Sequence, residues 1–73
     1  MISNFQYLEA ITYDPQRWNV EEYPEHPLKR NEVVYYLGDI PNAPGHCIVV
    51  KWTGEAIPMV HTEDFRKAKE DEL

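Results

Sequence analysis

The chain has 73 residues, which is enough for one domain but too few for a large core or a deep active-site cleft. Thirteen Asp and Glu against seven Lys and Arg give a formal net charge of −6, which disfavours direct binding to the phosphates of nucleic acid. The same charge favours a basic partner, although it also serves to keep a small protein in solution. We therefore expect a monomeric domain that acts by binding another macromolecule, with no enzymatic activity and no cofactor.

Cysteine content and hydropathy indicate the cellular compartment in which the protein works. No secretory signal and no apolar run of about 20 residues is visible, so we expect neither export nor a membrane anchor. Cys47 is the single cysteine, which excludes an intrachain disulfide. These features predict a protein of the reducing cytoplasm.

The first part of the chain is the more acidic. Residues 1–28 hold five acids and one Arg, and residues 29–73 hold eight acids and six bases. Residues 5–13 fit a helix and a strand about equally, and their aromatic and β-branched content favours a strand. We interpret the chain as one domain with a less regular acidic part over 1–28, in which the proline-rich segment 21–27 is a flexible arm, and a sheet with a C-terminal helix over 31–70.

Two segments read as strands because β-branched and aromatic residues stand between turn formers. They are residues 31–38 (NEVVYYLG) and residues 45–52 (GHCIVVKW). A return strand over residues 55–61 would complete a hairpin, and Pro58 would place that strand at a sheet edge or at a bulge.

The hairpin register follows from its turn. A two-residue turn at Thr53 and Gly54 would set Val50 opposite Ile57, Cys47 opposite Val60, and His46 opposite His61. Alternation puts Ile48, Val50 and Trp52 on one face, and we expect that face to point to the core.

The remaining segments are a loop and a short helix. Residues 39–44 (DIPNAP) predict a stiff exposed loop, whose apolar Ile40 either contacts a partner or folds inward over the core. Thr62 can cap a helix over residues 63–70 that Phe65 anchors to the sheet. The fold class is therefore α+β or mainly β: a small antiparallel sheet, SH3-like or a partly open barrel, with a short C-terminal helix.

One grouping has metal or nucleophile chemistry. His46 and His61 would need a third ligand such as His26, because two histidines are too few for a structural zinc site. Cys47 stands in an apolar run on the face opposite His46, which is typical of a buried, inert thiol. A metal or redox protein using His46, Cys47 and His61 remains an alternative.

Aromatic residues indicate a contact face, since Tyr and Trp anchor protein interfaces and surrounding acids would orient a basic partner. Adjacent tyrosines on a strand point to opposite faces, so either Tyr35 or Tyr36 faces outward. The candidate partner-binding residues are Tyr35, Tyr36, Asp39, Ile40, Asn42 and Met59.

In length, acidity and its central run EVVYYLGDIPNAPGHCIVVKW (residues 32–52), the whole chain resembles the small RNA-polymerase-binding transcription regulators of lytic Xanthomonas phages. The resemblance implies attachment to the N-terminal part of the host β′ subunit, inhibition of transcription initiation, and read-through of terminators. A second alternative from the residues is an acidic SH3-like interaction domain that binds proline-rich peptides through Trp18 and Tyr23.

Overall fold

A computed structural model describes residues 7–73 and shows a mainly β protein. Its five strands are β1 (Ala10–Tyr13), β2 (Val33–Asp39), β3 (His46–Val50), β4 (Ala56–His61) and β5 (Phe65–Lys67). Single 3-10 turns cover Val20–Glu22, Thr62–Asp64 and Glu70–Glu72. Within residues 7–73, no helix is long and apolar enough to cross a membrane.

The strands form one antiparallel sheet in the order β4-β3-β2-β1-β5. The two outer strands, β4 and β5, do not pair with each other, so the sheet stays open. The strand predicted over residues 5–13 is confirmed for Ala10–Tyr13, while residues 5 and 6 lie outside the described part. The first 28 residues thus supply an interior strand, and the sheet is not confined to residues 31–70.

The predicted β3–β4 hairpin is confirmed, but its turn is one residue longer than expected. The Lys51 amide donates to the Glu55 carbonyl at 2.8 Å, which leaves a three-residue loop ending in Gly54 at φ 97°. Val50 therefore pairs with Ala56, and the predicted Val50–Ile57 pair is wrong.

A β-bulge on β4 restores the register further along the hairpin. Val49 pairs with Ile57 and Cys47 pairs with Val60, so β4 contributes one extra residue between these pairs. The bulge falls at Pro58, which has no N–H for the ladder. The predictions that Pro58 marks an edge or bulge, and that His46 stands opposite His61, are both confirmed.

The prediction that Ile48, Val50 and Trp52 of the β3 segment face the core is wrong. Cys47 and Val49 are fully buried in the main cluster, whereas Trp52 is 72% exposed in the hairpin turn. Val50 is buried outside that cluster. Both faces of β3 are apolar, so the alternation alone did not distinguish them, and Trp52 lies past the end of the strand.

A long connection between β1 and β2, residues 14–32, covers the core face. It contributes buried Val20 and Leu28 and places Trp18 against the cluster. The sheet contributes the other buried members, Ile11, Tyr13, Val34, Cys47, Val49 and Ile57. The segment predicted to be a flexible arm lies inside this connection, and a loop this long in a compact domain is usually functional.

The predicted C-terminal helix over residues 63–70 is wrong. Thr62–Asp64 forms a single 3-10 turn, and the chain then extends as β5 along β1. Phe65 still packs on the core, with its ring centroid 5.1 Å from that of Tyr13. Backbone pairing with β1 outweighs the local helix signals, because without β5 the outer edge of β1 would be unpaired.

Charged side chains hold β5 in place. Arg66 donates two hydrogen bonds to the Glu72 carboxylate, at 2.9 and 2.7 Å, and a third to Asp14 at 3.2 Å. The buried Thr12 hydroxyl donates to Glu72 at 2.9 Å. Three chain segments therefore meet at one arginine.

We predict a pH dependence from Glu72. Chiefly because Arg66 donates to its carboxylate, the pKa of Glu72 falls from an ordinary 4.5 to about 2. A lowered folded-state pKa stabilises the fold fully above pH 4.5, and this stabilisation is lost as the pH falls through about 2. Glu72→Gln should lower the melting temperature at pH 7, and its difference from wild type should vanish as the pH approaches 2.

Thermal unfolding followed by circular dichroism from pH 7 to 2 measures this. Glu70→Gln is the matched control, because Glu70 is exposed and has no ion pair within residues 7–73. A Glu72→Gln curve that runs parallel to wild type through the acid range would contradict the prediction.

Candidate functional site

Tyr36 and Asp39, two of the predicted contact residues, are brought together. The Tyr36 hydroxyl donates to the Asp39 carboxylate at 2.6 Å, which is the main reason that the pKa of Tyr36 rises to about 12. The Tyr36 ring packs against the core cluster, so it lies on the covered face of the sheet. Tyr36 and Asp39 line a shallow cleft together with the β5 residues Phe65, Arg66 and Lys67.

The loop after β2 carries the next two predicted residues. The Ile40 amide donates to the His46 carbonyl and the Ala43 amide donates to the Ile40 carbonyl, both at 3.1 Å, so the loop is tied across its base. Asn42 is exposed at its tip and Ile40 is half-buried. A shallow cleft of about 400 Å³ lies along the loop between Asp39 and His46.

Met59 and Tyr35 lie apart from that group. Tyr35 pairs with Val50 on the face opposite the main core, while Met59 lines a different pocket from Ile40. The six predicted residues therefore do not form one continuous face. One group consists of Tyr36, Asp39, Ile40 and Asn42. Met59 belongs to a second site, and Tyr35 belongs to neither.

Met59 sits in the bulge of the edge strand. Its φ of 60° is unusual for a residue with a side chain, and the side chain is 55% exposed. Bulges redirect side chains and interrupt an edge ladder. A partner would therefore contact β4 through side chains such as Met59, and not by adding a regular backbone strand.

The second site is an aromatic pocket of about 400 Å³ between the β1–β2 connection and β4. The His26 ring stacks on Tyr13 with centroids 5.6 Å apart, and Trp18 meets His26 edge-on at 5.2 Å. The Leu28 amide donates to His26 Nδ1 at 3.1 Å, which fixes the ring. The full lining is Tyr13, Arg17, Trp18, His26, Met59, Val60, His61 and Asp64.

Asp64 gives this pocket a buried charge, since the residue is only 4% exposed. Arg17 lies 4.0 Å from its carboxylate but pairs more closely, at 2.9 Å, with Glu63. The Asp64 backbone carbonyl accepts the Asp14 amide at 2.8 Å, which ties the pocket wall to the end of β1. We call this group the Asp64 pocket.

The sequence reasoning missed most of the Asp64 pocket. Asp64 was interpreted as the first turn of a helix, and His26 as a possible metal ligand. Trp18 was the one residue that could have indicated the pocket, because it is a large aromatic residue between the polar residues Arg17 and Asn19. Trp18 was predicted only as part of a peptide-binding groove.

The histidine pair is the remaining grouping. His46 and His61 face each other with ring centroids 4.5 Å apart. Cys47 is fully buried on the other face of β3, and His26 is held in the aromatic stack. Residues 7–73 contain no group of three or more His, Cys, Asp or Glu side chains able to hold a metal ion.

Comparisons with known proteins add a partial likeness. No family model matches the chain, and no solved structure matches it. It is 37% identical over 59 residues to sphingomyelin phosphodiesterase 2 of Rattus norvegicus, and 35% identical over 54 residues to the same protein of Mus musculus. These alignments cover 77% and 70% of this chain but 14% and 13% of the two relatives, so the chain spans about one seventh of their length.

We predict that Cys47 is unreactive in the folded protein. Burial raises the pKa of its thiol, and the side chain has no exposed surface. Alkylation by iodoacetamide at pH 8, followed by mass spectrometry, should be slow in buffer and fast in denaturant. Rapid labelling of the folded chain, at the rate of a free cysteine peptide, would show that Cys47 is accessible and reopen a nucleophilic or redox role.

Proposed function

We propose that this chain is a phage protein that binds host bacterial RNA polymerase at the N-terminal part of the β′ subunit. Bound there, it inhibits transcription initiation and promotes read-through of terminators. It acts in the cytoplasm of the host as a monomer, without a cofactor, without catalysis, and without direct contact to nucleic acid or membrane. Its resemblance to polymerase-binding regulators motivates the partner, and its charge distribution is the observation that carries the proposal.

The ion pairs leave the surface strongly acidic. Four of the seven basic residues, Arg17, Arg30, Lys51 and Arg66, pair with six of the thirteen acids. Seven carboxylates have no ion-pair partner within residues 7–73, namely Glu9, Glu22, Glu25, Asp39, Glu55, Glu70 and Asp71. A basic partner is therefore attracted and oriented, while nucleic acid is repelled.

Exposed apolar side chains accompany these acids. Met59 is 55% exposed on the edge strand and Tyr23 is 47% exposed on the β1–β2 connection. Large side chains of this kind anchor interfaces once they are desolvated. Acids that select the partner and apolar residues that hold it are the combination that a protein-binding domain requires.

The regulatory step follows from binding alone. A ligand shifts an equilibrium between polymerase states by as much as its affinities for those states differ. If the chain binds better to elongating polymerase than to the promoter-bound form, one attachment point gives both weaker initiation and stronger read-through.

A second candidate is an SH3-like domain that binds proline-rich peptides, and one observation favours it. The Trp18 and Tyr23 rings lie 5.3 Å apart on the connection that covers the sheet, as an aromatic groove for a peptide requires. The finer fold proposed with it is SH3-like or a partly open barrel. The path of the chain supports this fold. After β4 the chain makes a 3-10 turn, and β5 then pairs with β1 on the other side of the sheet.

We predict saturable binding to core RNA polymerase from Xanthomonas, with an affinity that falls as salt is raised because exposed charges are screened. Fluorescence anisotropy of the labelled domain measures the affinity, and run-off and read-through transcription in the same mixtures measure the effect. Promoter-dependent initiation should fall and terminator read-through should rise. Titration with proline-rich peptides tests the second candidate in parallel.

A catalytically active polymerase lacking the N-terminal segment of β′ is the control for the attachment point. Absence of binding at low salt would remove the polymerase proposal, and equal binding to the truncated enzyme would remove the proposed attachment point. Saturable peptide binding without polymerase binding would favour the second candidate.

We further predict that the contact surface includes Met59 and the loop residue Ile40. Met59→Ala and Ile40→Ala should each weaken polymerase binding by about fivefold or more, as truncation of an interface anchor does. Leu37→Ala is the matched control, because Leu37 is also an exposed apolar residue, at 49%, and lies outside both pockets that these two residues line. Circular dichroism checks the fold of each variant, and unchanged affinity in both test variants would exclude this surface.

A further inference from the structure

We propose that the Asp64 pocket takes a lysine or arginine side chain of the partner polypeptide, with the Asp64 carboxylate as its counter-ion. Arg17 is the internal cation that the incoming side chain displaces. The partner's identity rests on the proposed function above, but the chemistry of the pocket stands on its own geometry.

Among residues 7–73, the Asp64 carboxylate has a single and loose ion-pair partner. Arg17 lies 4.0 Å from it, at the limit of an ion pair, and pairs with Glu63 at 2.9 Å. The Arg17 side chain is 56% exposed, so it can swing into solvent without breaking a packed core. The Asp64 side chain is only 5% exposed, and a buried carboxylate attracts a well-placed cation more strongly than a surface carboxylate does.

The walls suit a long basic side chain. The rings of Trp18 and His26 line the pocket, with His26 backed by the buried Tyr13 ring, and aromatic faces attract a cation within about 6 Å of the ring centroid. Met59 and Val60 offer apolar surface for the methylene stem of Lys or Arg. The volume of about 400 Å³ lies in the range of sites that accept such a group.

The surroundings reinforce the choice of a cation. Glu22 and Glu25 lie on the same connection as Trp18, are exposed, and have no ion-pair partner within the described residues. They flank the exposed Tyr23, whose ring contacts Trp18. A basic segment approaching this side therefore meets acids first and the aromatic pocket next, which favours a cationic occupant over an acidic or purely apolar one.

The first experiment uses the isolated domain and two peptides. Acetyl-Gly-Gly-Arg-Gly-Gly-amide is titrated while ¹H–¹⁵N spectra follow the Trp18 indole and the Asp64 amide. The same peptide with citrulline, which keeps the shape of arginine without its charge, is the control. We expect saturable shifts at these two signals with the arginine peptide and at least about fivefold weaker binding with citrulline.

Two variants should change this affinity in opposite directions. Asp64→Asn removes the counter-ion and should weaken binding of the arginine peptide by about five- to tenfold. Arg17→Met keeps an apolar stem and removes the competing cation, so it should strengthen binding several-fold even if Asp64→Asn folds poorly. Asp71→Asn removes one exposed acid that does not line the pocket and should leave the affinity within about twofold.

The outcomes separate this inference from the proposed function. Arginine-selective binding that Arg17→Met strengthens supports the pocket, even if wild-type protein fails to bind polymerase. Equal shifts with arginine and citrulline, or no shifts at Trp18 and Asp64, overturn the pocket even if wild-type protein binds polymerase. Polymerase affinity that is unchanged in Asp64→Asn would overturn the use of the pocket for that partner.

Discussion

The position of Arg66 is the constraint on which the rest of the structure depends. β5 is three residues long, too short to be held by its backbone ladder alone, and Arg66 ties it to Glu72 and to Asp14. The amide of Asp14 in turn donates to the Asp64 carbonyl. The same arginine therefore fixes the outer edge of the sheet and, through Asp14, the wall of the Asp64 pocket.

Arg30 extends this network into the long connection. It donates to Asp14 at 3.1 Å, to the Pro15 carbonyl at 2.6 Å and to Glu21 at 2.6 Å, and the hydrogen bond to Glu21 is the main reason that the pKa of Glu21 is lowered. The connection is thereby closed over the core with Trp18 and His26 at its underside. Because the arginines pair with acids inside this network, seven other carboxylates have no ion-pair partner within residues 7–73, and the chain keeps its net charge of −6.

The sequence predicted the parts of the fold whose signals are local. Turn formers and β-branched runs identified the hairpin, and Pro58 marked the bulge. The core face of β3 was not predictable because Val49 and Val50 are equally apolar, and β5 was not predictable because it depends on β1, more than 50 residues earlier. The Asp64 pocket was not predictable for the same reason. Trp18 and Asp64 are distant in sequence, and they line one pocket only because the β1–β2 connection folds over the sheet and β5 pairs with β1.

A small domain has little surface from which to build affinity, so where its charge lies matters. An interface of ordinary size buries about 800 Å² on each partner, whereas the whole accessible surface of this chain is 5159 Å². Exposed acids speed encounter but are screened by salt, whereas a carboxylate inside an aromatic pocket is screened less and slows dissociation. The bulge at Met59 closes the alternative route of adding a regular strand to β4. Specificity then comes from side chains that enter pockets, and the Asp64 pocket combines a buried carboxylate with aromatic walls.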